Sequence, residues 1–172
     1  EALRHHHLFE HLFPLTEIAL SHEHEGFPAT LVGRALDNTD RRLAEGKSVT
    51  PAFLLAALLW DAVEERRQAL EEQGLAPQDA TLQAADDVIA RQVARLAIPK
   101  RFTLSARDIW ALQPRLTGLS PKRARRVFEN PRFRAAYDFF LLRAEAGDAD
   151  ADTAEWWTEF QDADDAGHEA ML

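Results

Sequence analysis

The sequence lacks several features that mark common classes of protein. None of its 172 residues is cysteine, which excludes disulfide bonds and thiolate chemistry and agrees with a reducing compartment. No apolar run reaches about 18 residues, so we expect no membrane span. The chain starts without an initiator methionine or a signal-peptide pattern, and we expect it to be a piece of a longer protein.

Phosphate-binding and catalytic signatures are also missing. The seven glycines stand at apparent helix ends or in linkers. None of them belongs to a G-x-x-x-x-G-K-[ST] or G-x-G-x-x-G loop, and neither G-x-S-x-G nor H-E-x-x-H occurs. We therefore predict no catalytic, cofactor-binding or metal-binding residues within this chain.

Two groups of residues superficially suggest a metal site. His7 and His11 have the i, i+4 spacing that places two ligands on one helix face, but no third ligand is spaced to join them. Four acids occupy positions 1, 3, 5 and 12 of an EF-hand-like segment: Asp148, Asp150, Asp152 and Glu159. Position 6 is Thr153 where such a loop turns on glycine, so we interpret the segment as a solvated helix start.

Charge is distributed unevenly along the chain. Residues 99–137 contain ten basic and two acidic residues, a net charge of +8, although the whole chain carries −9. Such a block requires either a polyanionic partner or an internal acidic partner. The basic residues are Lys100, Arg101, Arg107, Arg115, Lys122, Arg123, Arg125, Arg126, Arg132 and Arg134.

The basic block has its own helix signals. Ser120-Pro121 and Asn130-Pro131 each resemble an N-cap followed by proline at the first helical position, and Ser105 with Asp108 resembles a capping box. At about 100° per residue, the cations of the helix from Pro121 to Phe128 fall on one side. We expect Lys122, Arg123 and Arg126 to face solvent, and Val127 and Phe128 to be buried.

Apolar residues elsewhere recur with helical spacing, and no segment alternates with period two for long. The fold should therefore be all-α, a multi-helix bundle or array of about seven to nine helices without a sheet. Further helices are predicted over residues 1–20 with a break at Pro14, 29–45, 51–73, 77–98 and 131–146. The inner positions of the last two are Leu82, Ala85, Val88 or Ile89, Val93 and Leu96, and Phe133, Ala136, Tyr137, Phe140, Leu141 and Ala144.

Composition suggests three regions. Residues 1–98 form an acidic helical body, residues 99–146 a basic helical region packed on it, and residues 147–172 an acidic C-terminal helix and tail. In that tail, Trp156, Trp157 and Phe160 are interpreted as an apolar face that closes the bundle, with base stacking as the alternative.

Several stretches of the chain resemble one enzyme family. They are L-F-E-H-L-F-P, L-D-N-T-D-R-R, P-A-F-L-L-A-A-L-L-W, L-A-I-P-K-R-F-T-L-S-A-R-D-I-W-A-L-Q-P-R-L, K-R-A-R-R-V-F-E-N-P-R-F-R-A-A-Y-D-F-F-L-L-R-A-E and W-W-T-E-F-Q. In this order they resemble the C-terminal part of the bacterial poly(A) polymerase I family, within the class II nucleotidyltransferase superfamily. Members often end in an arginine-rich tail, and the present sequence leaves open whether one follows Leu172.

The resemblance implies a function that composition alone does not. Such cytoplasmic enzymes add adenylates from ATP to RNA 3′ ends and so promote RNA decay, with Mg²⁺ and ATP held by an N-terminal head. The helical C-terminal region is assigned to binding single-stranded RNA, so this chain should bind RNA, contact the head and catalyse nothing alone. By position, the family's basic region corresponds to Lys100, Arg101, Arg107, Arg115, Lys122, Arg123 and Arg126.

Two alternatives remain open. The C-terminal region of a CCA-adding tRNA nucleotidyltransferase shares the head but fits these stretches less well. A helical protein-interaction module that binds an acidic protein of the RNA-decay machinery would need the same basic face, and the sequence does not separate it from an RNA-binding module.

Overall fold

The computed structural model describes residues 5–21, 29–117 and 121–171. These ranges contain ten helices and no strand, which confirms the all-α prediction, with slightly more helices than the seven to nine expected. The helices are α1 (Phe9–Leu12), α2 (Pro14–Ser21), α3 (Ala29–Ala44), α4 (Pro51–Glu72), α5 (Pro77–Val93), α6 (Lys100–Leu116), α7 (Pro121–Phe128), α8 (Phe133–Glu145), α9 (Ala151–Asp162) and α10 (Asp165–Met171).

Proline and glycine set most of the helix boundaries. Pro51 and Pro77 each stand at the start of their helices, where the missing N–H group costs nothing. Gly46 and Gly74 follow α3 and α4 with φ of 69° and 95°, in the left-handed region that glycine adopts without strain. Pro14 separates α1 from α2, and this break accounts for part of the higher helix count.

Two of the predicted caps are wrong in their details. Ser105 lies inside α6, which already begins at Lys100, so Ser105 and Asp108 form no capping box. Asn130 does act as a turn former, because its side-chain oxygen accepts a hydrogen bond from the Arg132 N–H at 2.8 Å. The following helix nevertheless starts at Phe133 rather than at Pro131, since residues 129–132 form a turn. The Ser120 cap lies outside the described residues.

Helix α4 is the centre of the larger hydrophobic core. It packs against α2, α3, α5, α6 and α8. Its Trp60 and Val63 are almost fully buried, and Trp110 of α6 donates a hydrogen bond from Nε1 to the Ala56 carbonyl at 3.1 Å. This bond satisfies the only polar atom of a tryptophan that is otherwise surrounded by apolar side chains.

A second, smaller core is formed at the other end of the molecule by residues of α6, α7, α8 and α9. Trp157 of α9 is fully buried there, and its Nε1 donates to the Leu116 carbonyl at 2.8 Å. Phe160 is buried beside it, so both residues close the bundle as predicted. Trp156 is only half-buried and stacks on Phe160 with ring centroids 4.8 Å apart.

Helix α8 contributes to both cores. The predicted inner positions Phe133, Ala136, Tyr137 and Phe140 are buried in the second core. Phe139 and Leu142, which the single predicted stripe omits, are buried in the first core. The helix is therefore apolar on two sides, as expected for an element that lies between two packed layers.

The prediction for the end of α5 is wrong in two respects: the helix ends at Val93 rather than at residue 98, and one predicted inner position is exposed. Val93 is 41% exposed, whereas the neighbouring Gln92 is only 1% exposed. The Gln92 side-chain amide donates to the Leu12 carbonyl at 2.7 Å, which fixes the short helix α1 against α5. This bond satisfies the amide nitrogen, whereas the Gln92 Oε1 is buried without a hydrogen-bond partner among the described residues. The apolar pattern could not predict this buried side chain.

Within the described ranges, none of the helices combines the length and apolar character needed to cross a membrane. The division into regions at residues 98 and 146 stays a prediction. Helix α6 begins just after that first boundary and contributes Ala106, Ile109 and Trp110 to the same core as α4 and α5.

Candidate nucleic-acid interface

One face of α6 carries four of the predicted RNA-binding residues. At about 100° per residue, Lys100, Arg101, Arg107 and Arg115 fall within about one third of the helix circumference. Lys100, Arg101 and Arg115 are exposed, and Arg107 is partly exposed. Lys100 and Arg115 stand 15 residues apart, so the cationic face extends about 22 Å along the helix. We call it the α6 face.

The opposite side of α6 explains why these cations point outward. Ala106, Ile109 and Trp110 are buried in the first core, and Leu112 and Leu116 in the second. Because the helix is held by its apolar side at both ends, its charged side cannot turn away from solvent.

Helix α7 presents its cations as predicted. Arg123, Arg125 and Arg126 are exposed, while Ala124 and Val127 are 1% and 4% exposed and belong to the second core. Phe128 is only partly buried, contrary to the prediction, and its ring lies against Phe133, Phe160 and His168. The side chain of Lys122 lies outside the described residues.

Internal ion pairs engage only part of the basic block. Arg107 binds Asp86 of α5 through two hydrogen bonds of 2.5 and 2.9 Å, Arg132 lies 3.3 Å from Asp108, and Arg134 lies 3.1 Å from Asp138. The Arg107 hydrogen bonds lower the pKa of Asp86 below its usual value. All three pairs are at least partly exposed, so water weakens their attraction.

The other cations have no acidic partner among the described residues. These are Lys100, Arg101, Arg115, Arg123, Arg125 and Arg126, of which Arg115 donates to the neutral side chain of Gln78 at 3.1 Å. Two explanations were given for the basic block, a polyanionic partner and internal acidic partners. Internal acidic partners account for three of its arginines. The remaining exposed cations leave a positive surface on a chain of net charge −9.

Sequence reasoning missed a second set of arginines. Arg34, Arg41 and Arg42 of α3 line the groove between α3 and α8, together with Arg134. Their spacing of seven and eight residues places them on one face of α3, which was a readable signal. It was overlooked because these arginines are interspersed with acids such as Asp37 and Asp40, so the local net charge is small.

Two acids of the EF-hand-like segment have structural roles. Asp148 accepts hydrogen bonds from Arg143 at 2.6 Å and from the Trp60 indole at 2.8 Å. Asp150 caps α9 by accepting hydrogen bonds from the Thr153 hydroxyl at 2.5 Å and from the Thr153 N–H at 2.8 Å, and these bonds, the hydroxyl's first, lower the pKa of Asp150. In the described part of the chain, no group of three histidine, aspartate or glutamate side chains is arranged to hold a metal ion.

The fold and its surface define a class of protein: an all-α domain in which two adjoining helices present cations that have no acidic partner in the described ranges. Residues 73–172 match the family described as polymerase A arginine-rich C-terminus. The chain belongs to this family, which confirms the resemblance found in the sequence.

Curated relatives agree with this assignment. The chain is 38% identical over 175 residues to poly(A) polymerase I of Salmonella typhi, an alignment that covers all of the chain and 38% of that protein. It is 39% identical over 170 residues to poly(A) polymerase I of Escherichia coli O157:H7, covering 96% of the chain and 36% of that protein. It is 35% identical over 172 residues to poly(A) polymerase I of Haemophilus influenzae, covering 99% and 38%. The chain thus spans less than two fifths of these relatives' length.

Proposed function

We propose that this chain is the RNA-binding part of a bacterial cytoplasmic poly(A) polymerase, and that it holds single-stranded RNA on the α6 face and α7. In this proposal a nucleotidyltransferase head, which is not part of this chain, binds ATP and Mg²⁺ and adds adenylates to the RNA 3′ end. The chain itself catalyses no step. The head and proteins of RNA decay are its proposed protein partners.

One observation carries the proposal. Arg123, Arg125 and Arg126 protrude from an eight-residue helix that is held by its apolar side, and the described residues offer them no acidic partner. Guanidinium groups bind phosphate oxygens through paired hydrogen bonds and keep their charge at any physiological pH. A surface of this kind fits a chain of phosphates, because it binds charge without reading the base sequence.

The acidic remainder of the molecule supports the same interpretation. Outside residues 99–137 the net charge is −17, which repels RNA from the other surfaces and confines it to the cationic side. Binding should be driven by the release of counterions from the strand, so it should weaken steeply with salt. The family membership and the reported relatives do not favour the CCA-adding alternative.

The test compares two double variants that remove the same charge from different places. R123A/R126A removes two cations from α7. R91A/R95A removes two exposed arginines elsewhere, Arg91 in the last turn of α5 and Arg95 two residues after that helix ends. Affinity for a labelled oligoadenylate is measured against salt concentration by fluorescence anisotropy. We expect R123A/R126A to bind more weakly, with a log–log salt slope shallower by about 1.4. R91A/R95A should remain close to the wild type.

Thermal melting controls for folding, since surface changes of this kind shift stability by less than about 0.5 kcal/mol each. If the wild-type chain does not bind oligoadenylate at low salt, the proposal is wrong and the protein-interaction module becomes the better reading. If both double variants lose affinity equally, RNA responds to net charge alone and α7 is not its binding surface.

A further inference from the structure

A cleft of about 320 Å³ lies beside the α6 face, between α3, α4, α6 and α8. Its wall is apolar where the helices meet, and the side chains there include Val49, Phe53, Ile109 and Ala135. Hydroxyl and amide side chains from the surrounding elements line the rest: Asn38, Thr39, Ser48, Thr50 and Ser105. We call it the Phe53 cleft.

Charge at the Phe53 cleft is predominantly positive. Arg42, Arg132 and Arg134 line it together with a single acid, Asp138. The side chains of Arg132 and Arg134 are 56% and 68% exposed, so their ion pairs with Asp108 and Asp138 leave donor groups accessible to a ligand. Arg42 donates to the Ser48 carbonyl at 3.2 Å, which holds its guanidinium at the cleft.

The cleft adjoins the proposed RNA surface. Ser105 follows Arg101 by four residues, which places it about 40° further around α6. Arg132 joins the two regions, because it lines the cleft and also contacts Asp108, which lies within the arc of the α6 face. A strand that runs from the α6 face into the cleft passes Asp108, whose charge is offset by Arg132 at 3.3 Å.

Four of the stretches that carry the family resemblance meet at this cleft. They contribute Asn38 and Arg42 from α3, Phe53 from α4, Ser105 from α6, and Arg134 from α8. These stretches are far apart in the sequence, and the fold brings them together at one place.

We propose that the Phe53 cleft holds one nucleotide of the bound RNA, with its base against the apolar wall and its phosphate at Arg42, Arg132 and Arg134. The inference rests on the proposed function and adds a defined site to it. A nucleotide matches the cleft because it joins a flat apolar ring, which needs a dry surface, to an anion, which needs guanidinium groups. The neutral polar side chains can bind the edge of the base.

An acidic peptide fits less well. Its carboxylates would use the arginines, but acidic side chains have no flat apolar ring for the wall formed by Phe53, Ile109 and Ala135. The cleft volume also lies near the lower end of the range for small-ligand sites, which suits a single base with its phosphate.

The experiment blocks the cleft without changing charge. In S105W, a large side chain enters the cleft from α6. The control is V93W, in which the same side chain replaces an exposed valine of α5 that does not line the cleft. Affinity for a ten-nucleotide oligoadenylate is measured by anisotropy. We expect S105W to bind about tenfold more weakly, the equivalent of one lost base contact, and V93W to bind like the wild type.

A second pair of variants covers the case in which S105W does not fold. R132Q removes one cation from the cleft, and R91Q removes one from α5. We expect R132Q to weaken RNA binding several-fold and R91Q to leave it unchanged. In a competition experiment, unlabelled AMP is added to the complex of wild-type chain and labelled oligonucleotide, and anisotropy is measured. AMP should displace the labelled oligonucleotide only at a much higher concentration than unlabelled oligonucleotide does.

The outcomes separate this inference from the proposed function. If S105W and R132Q bind RNA as tightly as the wild-type chain does, the cleft is not a nucleotide site. The proposal that RNA binds to the α6 face and α7 would be unaffected by that result. If AMP alone competes as well as the oligonucleotide, the cleft is a free-nucleotide site and the RNA assignment is overturned. If an acidic peptide displaces the oligonucleotide and AMP does not, the cleft is not a nucleotide site and the inference is wrong.

Discussion

Arg143 shows at the residue scale how burial changes the value of an ion pair. It is 8% exposed, its guanidinium lies 4.3 Å from the centre of the Trp60 ring, and it donates to Asp148 at 2.6 Å and to Gln113 at 3.0 Å. All of its strong contacts are internal, so this arginine of the C-terminal region is structural and does not belong to the proposed RNA-binding surface.

We predict that R143A lowers the free energy of unfolding by about 3–5 kcal/mol, because it leaves Asp148 without its cation. Arg34 is the matched control, since it pairs with Glu145 at 3.0 Å but is 45% exposed. R34A should cost less than about 1 kcal/mol. Urea unfolding of both variants measures the difference.

A double variant tests the cause. R143M/D148N removes both charges and keeps an acceptor for the Trp60 indole, so it should recover part of the stability lost in R143A. Equal losses in R143A and R34A would show that burial does not matter to this pair.

Asp61 illustrates the opposite case, an acid whose surroundings oppose its charge. Burial raises its pKa above the usual range, and the neighbouring acids Glu65, Asp148 and Glu64 add to the effect. Arg66 and Arg91 line the same cavity, but they do not reverse the shift. The folded state therefore binds this proton more tightly than the unfolded state does. As pH rises through the raised pKa, the carboxyl loses the proton and the free energy of unfolding falls.

We therefore predict that D61N is more stable than the wild type at pH 7. The advantage should shrink as pH falls and vanish below about pH 4, where the carboxyl is protonated in both states. Thermal melts at pH 4 and pH 7 test this, with E72Q as the control for an exposed acid on the same helix. A D61N advantage that is the same at both pH values would contradict the pKa argument.

At the scale of elements, α7 depends on how its aromatic residue is packed. Phe128 and Phe133 are neighbours in the second core, with ring centroids 5.1 Å apart. Phe133 is 5% exposed, whereas Phe128 is only partly buried at the end of α7. The two therefore form a matched pair that differs mainly in burial.

We predict that F133A costs about 3–5 kcal/mol through the cavity it leaves. F128A should cost clearly less, because solvent already reaches part of its ring and the α7 helix end can adjust. Unfolding in urea gives both values. A loss in F128A as large as that in F133A would mean that α7 is held by Phe128 rather than by Ala124 and Val127.

At the scale of the whole molecule, the two cores are joined rather than independent. Helices α6 and α8 contribute buried residues to both. Gln113 of α6 donates to the Ala136 carbonyl of α8 at 3.1 Å and accepts from Arg143, so the joining helices also contact each other through buried polar groups.

This arrangement predicts cooperative unfolding. In native-state hydrogen exchange, the protected amides of α5 in the first core and of α9 in the second should merge into one unfolding transition as urea is added. F160A, which damages only the second core, should lower the stability measured at α5 by a similar amount. Exchange of α9 well before α5, with α5 unaffected by F160A, would show two separate units.

The sequence by itself determined the helical class, most helix boundaries and the cationic helix α7. These features depend on residues close together in the chain: a proline at a helix start, a glycine after its end, or alternating charged and apolar positions within one helix turn. The family resemblance likewise follows from local stretches, and the comparisons confirm it.

Only the tertiary structure decided which arginines are free and where a ligand could enter. Arg107 is paired because α5 places Asp86 against it, and Arg143 is buried because Trp60, Gln113 and Asp148 surround it. Likewise, the Phe53 cleft exists only where four distant segments meet. Such contacts join residues from 5 to 88 positions apart, and the free energy of each depends on burial and on neighbours that a local pattern does not contain.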